Sequence, residues 1–556
     1  MTTQLTSPPA QGSTDYHYDL ILIGSGMGAL TVASLMAQLK GKRVLLLERH
    51  FQAGGFTHDF KRGKFHWDVG IHYVGNMGDG EFLRKLFDLL TAGQVQWQKM
   101  PHYFEQFVYP GLQFQVPSNK QQYQDALIQR FPQEAKAIRR YFKAITNTAA
   151  AYGLFSMRRS GSRLMQVVGW LYNLFNPPRL EMTTQEYLDR HFQSPALKAL
   201  LASQWGDYGL PPSLSPFALH SMIVSHYLDG GYYPVGGGGT IAAAIQGIVE
   251  RKGGQLLVNR EVQRVIIENG RAVGVEVRRS QGKADGVTER YYAPVIISNA
   301  GVVNTYQKLI PADYPIPFRQ DLEAFCQRQP ATTHVGLYLG LSQDPRSLGF
   351  QGENHWLYAS LDHNQTYHQR GQWVPTDQPP QVYLSFPSLK DAQAKAHTAE
   401  ILAWVDYSNF APWRSQPWRQ RDQDYQQLKQ SITERLIAVV DRHYPGFANL
   451  VDYAELSTPL TNEHFTAHPN GAVYGLPFVA ERFRPQNLAW THPKTPLPGL
   501  YLTGADVCML GIAGAMMGGL ITLGNLPDGL SVPQVFASAE RRRYQSPLLD
   551  RTPQPA

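Results

Sequence analysis

Apolar positions along this chain fall into three patterns. Short continuous runs at "DLILIG" (19–24), "RVLLLE" (43–48), "APVIIS" (293–298) and "GLYLTG" (499–504) predict strands buried on both faces. Alternation with period two marks "FHWDVGIHYVG" (65–75), which predicts Phe65, Trp67, Val69, Ile71 and Tyr73 on one face and His66, Asp68 and His72 on the other. A second alternating region is split by Asn269-Gly270, a two-residue hairpin signal. Helical spacing follows the first strand in "LTVASLMAQL" and recurs over 236–251 behind a glycine-rich entry. It also appears in "SRLMQVVGWLYNLFNPP" (162–178), where Leu164, Val167, Val168, Leu171, Leu174 and Phe175 share one stripe.

The run "VCMLGIAGAMMGGLITLG" (507–524) has no charged residue and is long enough to suggest a membrane span. Gly514 and Gly518, four apart, even imitate a helix-dimerisation face. Five glycines in the run and the absence of flanking basic clusters argue instead for a buried helix that needs a small backbone.

Composition narrows the class. The 556 residues, 43% hydrophobic and 17% charged, suit a folded protein of two or three lobes. A net charge of +7 from 51 basic and 44 acidic residues mildly favours an anionic surface as partner, and its scatter argues against nucleic acid. Two cysteines, Cys326 and Cys508, offer neither a disulfide framework nor metal spacing, so a reducing, intracellular compartment is expected. Residues 1–15 and 540–556 read as flexible tails, the first a polar lead-in unlike a signal peptide.

The strongest chemical signal is the first strand running into Gly24-x-Gly26-x-x-Ala29, then a helix, then a strand ending in Glu48. Gly24 permits the tight turn, Gly26 the approach of a pyrophosphate, and Ala29 the helix–strand contact, while Glu48 is placed for a ribose. The helix N-terminus adds free N–H groups for phosphate. Gly28 in the same turn, and Arg49 and Phe56 around the doublet Gly54-Gly55, complete this side of the expected cofactor set. The doublet, at this distance from the acid, resembles the two-dinucleotide-binding flavoproteins, which implies FAD and not NAD.

"FHWDVGIHYVG" (65–75), "GGYYPVGG" (from residue 230), "FPSLKD" (386–391), "GAVYGL" (471–476) and "PGLYLTGADV" (498–507) together resemble the phytoene desaturase, carotenoid isomerase and retinol saturase family. "GIHYVG" is similar to the retinol saturase branch. The resemblance implies an α/β protein in which a two-dinucleotide-binding, Rossmann-type FAD domain (16–80, 231–310 and 490–530) is interleaved with an α+β substrate domain (81–230 and 311–489). It implies that the chain near Val262 holds the adenine end. It further implies that Gly504, Asp506, Gly511, Ile512, Gly514 and Ala515 close over the flavin, with Asp506 bonding ribityl or phosphate oxygens.

His72 and Tyr73 are the candidates for supplying a proton beside the reacting carbon; orienting or packing under the flavin is the alternative. His464 and His468 stand four apart, but Pro469 follows and no third ligand is indicated, so no metal is expected. Cys508 reads as a small core residue. The 162–178 stripe, bracketed by Arg158, Arg159, Arg163 and Arg179, suits a helix lying in a membrane surface, although an ordinary buried helix explains the stripe too. The expected function is an FAD-dependent oxidoreductase acting on carbon–carbon double bonds of a hydrophobic polyene or other unsaturated lipid, peripheral on the cytoplasmic side of a membrane. The direction of hydride transfer and the electron partner stay open. A redox-neutral flavin isomerase and a non-enzymatic lipid carrier with structural flavin are the alternatives.

Overall fold

The computed structural model describes residues 18–280, 286–329, 331–376, 378–542, 544, 548 and 549. Four short apolar runs meet edge to edge. Leu20–Ile23 is the middle strand of a five-stranded parallel sheet, flanked on one side by Val44–Leu47 and Gln255–Leu257 and on the other by Ile296–Ser298 and Leu500–Leu502. Strands so apolar need cover on both faces. The helices Met27–Lys40, Gly239–Arg251 and Gly511–Leu523 pack together, the first touching both others, and an antiparallel sheet of Arg260–Glu268, Arg271–Arg279 and Thr288–Tyr292 lies against the strands. Asn269 (φ +49°) and Gly270 (φ +72°) make its hairpin turn, as two consecutive left-handed residues must.

The glycine-rich run therefore forms the buried helix Gly511–Leu523. A Cβ on Gly519 would sit 2.7 Å from Thr31 Cβ and 2.8 Å from the Gly28 carbonyl oxygen, so the glycines serve backbone contact with the first helix. Among the described residues no helix is long and apolar enough to cross a membrane.

A seven-stranded mixed sheet forms the second layer, in the order Val451–Ser457, Thr333–Leu341, His397–Val405, Gln381–Ser385, Asn354–Tyr358, Tyr103–Tyr109 and Leu112–Pro117. Its period-two alternation sorts residues between two fates. Val382, Leu384, Ile401 and Val405 join a core with Ile432, Leu436 and Val440 of the helix Gln423–His443. Gln381, Tyr383, Leu402 and Trp404 face a cavity instead.

Three expectations change. The alternation at 65–75 is a strand only over Phe65–Asp68, paired with Asp59–Arg62. Beyond it the chain bends: Val69 N–H bonds the His58 carbonyl at 3.1 Å, a Cβ on Gly70 would lie 2.8 Å from the Phe56 carbonyl oxygen, and strand-like pairing resumes only at Val74. The two-face division therefore does not reach His72 and Tyr73. At the C-terminus, residues 540–542 end the helix Val532–Arg542, which packs Phe536 on Phe82 with ring centroids 4.3 Å apart; the rest of the two expected tails lies outside the described residues, apart from 544, 548 and 549. Arg159 is turned inward, donating to the Val507 carbonyl at 3.0 Å and to the Thr491 carbonyl, so it does not bracket a surface stripe.

Candidate active site: a cofactor cradle open to an aromatic chamber

A cavity of about 470 Å³ runs from the carboxyl ends of the parallel strands to the open face of the seven-stranded sheet. At its first end Gly24 (φ +89°) turns the chain sharply, and Gly26 lies where a Cβ would come 2.7 Å from Asn299 Nδ2. Glu48 joins this turn to the glycine doublet. Its carboxylate accepts from Ser25 N at 2.9 Å, Ser25 Oγ at 2.6 Å and His50 N at 2.8 Å, and Ser25 Oγ accepts from Gly54 N at 3.0 Å. Gly54 (φ +121°) and Gly55 (φ +58°) hold left-handed conformations that favour glycine. Arg49 Nη2 pairs with Glu261 at 3.1 Å while its Nη1 is buried with no partner among the described residues, and Val262 lines the same cavity. Phe56 lines the wall with its ring 5.7 Å from His468.

Gly511 (φ +79°), Ile512 and Ala515 line the far side of the cradle. Asp506 lines it too, with its carboxylate committed to backbone: it accepts from Val302 N at 2.8 Å and Leu476 N at 2.6 Å, pinning two loops against the cavity. Gly28, Ala29, Gly504 and Gly514 stand behind the wall. A Cβ on Gly28 would lie 2.5 Å from Gly504 N, and one on Gly514 2.9 Å from Met509 Cβ, so these residues let helices and strand approach.

The cradle fits a dinucleotide. The N-termini of the helices beginning at Met27 and Gly511 both open into it without a side-chain cap, leaving N–H groups and two positive dipole ends for anionic groups. Among the described residues, buried Arg49 Nη1 and Thr503 Oγ1 lack partners, and both belong to residues of the same wall.

The other end is lined by His72, Asp207, His334, Trp356, Tyr383 and Trp404. His72 Nδ1 lies 2.8 Å from Glu400 Oε2, and Lys390 Nζ donates to the His72 carbonyl at 2.9 Å and to Ser385 Oγ at 2.6 Å. Burial governs this cluster: it lowers His72 to about 3 and Lys390 to about 7, and raises Glu400 to about 8. Tyr73 does not line the cavity. It is buried behind it, its ring stacked on Tyr227 at 4.1 Å and its hydroxyl between Glu105 and Asp207. The pattern at 65–75 led to His72 and Tyr73 but not to their partners. Glu400 had one signal, an acid alternating with the apolar Ala399 and Ile401 in a buried strand; Asp207 had none.

Residues 22–90 match an NAD(P)-binding Rossmann-like domain. The chain is 31% identical over 523 residues to the all-trans-retinol 13,14-reductase of Danio rerio, covering 90% of this chain and 84% of the relative, and 31% identical over 526 residues to the human one. The chain belongs to the all-trans-retinol 13,14-reductase family. It is 24% identical over 518 residues to the prolycopene isomerase of Arabidopsis thaliana, covering 89% of this chain and 80% of the relative. An oxidoreductase structure from Methanosarcina mazei superposes with a TM-score of 0.58 at 16% identity, covering 90% of this chain and 98% of its own, which shows a shared fold. Members of this family are flavoenzymes. The chain is an FAD-dependent oxidoreductase, with a Rossmann-type α/β unit beside the mixed sheet.

Proposed function

We propose that this chain reduces a carbon–carbon double bond of a hydrophobic polyene of the retinoid or carotenoid class, collected from a membrane surface on the cytoplasmic side. One observation carries the reading: a single cavity joins the cofactor cradle to a chamber walled by Trp356, Tyr383, Leu402 and Trp404. The matched relatives are named for retinol reduction and prolycopene isomerisation, both acting on conjugated polyenes.

Bound FAD supplies two-electron chemistry at its ring system. In this reading the open N-termini at Met27 and Gly511 hold its anionic groups, Arg49 and Val262 its adenosine end, and the aromatic wall keeps water from the reacting bond. His72, locked between Glu400 and Lys390, would orient the polyene or ring beside it. Membrane contact is assigned to the helix Arg163–Phe175. Val167, Leu171, Leu174 and Phe175 are exposed there, Phe175 by 84%, and the free cysteines suit a reducing compartment.

The test is to photoreduce FAD-loaded enzyme and incubate it with retinol, carotenes and polyunsaturated fatty acids, then read product masses. A polyene product heavier by two hydrogens, formed in proportion to reductant, is expected. Similarity to the prolycopene isomerases supports a second reading; product of unchanged mass with a shifted absorption spectrum, needing reductant only for priming, would establish it instead.

A further inference from the structure

One oxygen buried behind the chamber wall has more partners than its own proton can satisfy. Tyr73 Oη lies 2.5 Å from Glu105 Oε1 and 2.7 Å from Asp207 Oδ2. A phenol carries one proton and an ionised carboxylate only accepts, so one of these contacts takes its proton from a carboxyl group. The triad thus holds one proton beyond that of the phenol.

This proton has an inner and an outer end. Glu105 is fully buried, and its oxygens also accept from Trp356 Nε1 at 3.1 Å and Gln204 Nε2 at 2.8 Å. Asp207 lines the cavity and keeps partial accessibility into it; among the described residues its Oδ1 has no hydrogen-bond partner. We propose that Asp207 delivers the proton in polyene reduction and that Tyr73 and Glu105 reload it. This rests on the reductive reading above.

The step balances. Saturating one double bond takes a hydride and a proton. The hydride comes from reduced flavin, restored by an external two-electron donor. The proton comes from the Asp207 carboxyl, whose O–H bond breaks as the second C–H bond forms. The extra proton is loaded onto Asp207 before this step, Tyr73 giving its proton to Asp207 as it accepts that of Glu105, and delivery leaves both carboxylates ionised until solvent returns one proton to the triad.

The electrostatics agree. Burial raises Glu105 to about 7 against its hydrogen bonds and the charge of Lys390, and burial together with repulsion from Glu105 holds Asp207 well above the usual carboxylate range. Among the described residues the groups facing the triad are the phenols of Tyr123, Tyr208, Tyr227, Tyr358, Tyr383 and Tyr474 and the ammonium of Lys390, which acts on Glu105. His72 is a poorer proton source, because its imidazolium is suppressed by burial and a neutral ring N–H is a far weaker acid than a carboxyl. With Glu400 protonated, its carboxyl would donate to Nδ1 and the ring proton would sit on Nε2.

The test compares FAD-loaded wild type, Asp207→Asn, Tyr73→Phe and Glu105→Gln, each checked for flavin spectrum and melting temperature. Infrared difference spectra without substrate should contain the C=O stretch of a protonated carboxyl that Asp207→Asn removes. Turnover should fall by roughly 10²–10⁴-fold in Asp207→Asn with flavin binding intact. In wild type, turnover should fall as pH rises through the ionisation of the pair. Glu105→Gln removes the repulsion and should move that fall to lower pH, while Tyr73→Phe should slow turnover without moving KM in proportion. Turnover of Asp207→Asn within a few-fold of wild type, or an unchanged carboxyl band, would overturn the proposal. Wild type that reduces no polyene would instead refute the reductive reading, and the infrared result would still decide whether Asp207 holds the proton.

Discussion

The two ends of the cavity are built by opposite means. The cofactor cradle is mostly backbone: glycines at 24, 26, 54, 55 and 511 and two helix N-termini, with Glu48 tying neighbouring turns. The chamber is mostly side chain, and its partners come from far apart in sequence: Tyr73 with Glu105 and Asp207, His72 with Glu400. A backbone site fails when volume is added; a side-chain site fails when a proton or a partner is taken away.

The largest effect should come from adding one methyl group behind the cradle. In Gly28→Ala the new Cβ would meet Gly504 N at 2.5 Å and Asn299 Oδ1 at 2.8 Å, and the first of these is backbone that cannot swing aside. Overpacking of this kind costs about 1–3 kcal/mol, and here it also displaces the turn that carries Gly24 and Gly26. The variant should elute from gel filtration without FAD and melt below wild type. Full flavin occupancy with an unshifted melt would show that the cradle tolerates volume and that the contrast between the ends is misplaced.

The same contrast explains what could be read in advance. Cradle residues sit close together in sequence at spacings that backbone geometry dictates, so Gly24, Gly26, Glu48 and Gly54-Gly55 stood out before any fold was known. The strands at 20–23, 44–47, 296–298 and 500–502 were legible because burial on both faces requires unbroken apolar runs. Asp207 was not legible, since a lone acid after a tryptophan and a glycine has no period and its meaning comes only from Tyr73, 134 residues away. The break after Asp68 was hidden as well: an alternating pattern records which side chains are apolar, not that Gly70 packs under the Phe56 carbonyl and bends the chain. For the run at 507–524, hydropathy alone suggested a span, and its glycines carried the correct answer.

A smaller effect should separate the chamber's titration from its shape. Glu400 is fully buried and raised by burial from 4.5 to about 8. Facing it are Lys390, which opposes the rise, and His66, Asp68 and His72. Because the folded value lies above the unfolded one, the folded state binds the extra proton, and this contribution to stability is complete below about 4.5 and lost as pH rises through about 8. Glu400→Gln keeps the shape and removes the ionisation. Its melting temperature relative to wild type should therefore climb as pH rises across that window and level off above it. A difference that is flat with pH would mean that Glu400 is ionised throughout, paired with Lys390.

The smallest effect on the fold belongs to the surface helix, which touches neither end of the cavity. Arg163–Phe175 packs on Ala135–Met157 through Gly169, where a Cβ would lie 2.9 Å from the Leu154 carbonyl oxygen, and through Asn173 Nδ2, which donates to the Ala151 carbonyl at 2.9 Å. Leu171 and Phe175 point away from that contact, exposed by 48% and 84%. Replacing both with glutamate should change stability by no more than about 0.5 kcal/mol per site, as for surface positions generally. If the face meets lipid, the same pair of substitutions should abolish flotation on anionic vesicles, and raising salt should weaken flotation of wild type only in part, because the apolar contribution is unscreened. Turnover on detergent-dispersed polyene should survive while turnover on vesicle-bound polyene falls. Equal flotation of a folded double variant would locate membrane contact elsewhere. A variant that melts well below wild type would show that these side chains are packed against the protein.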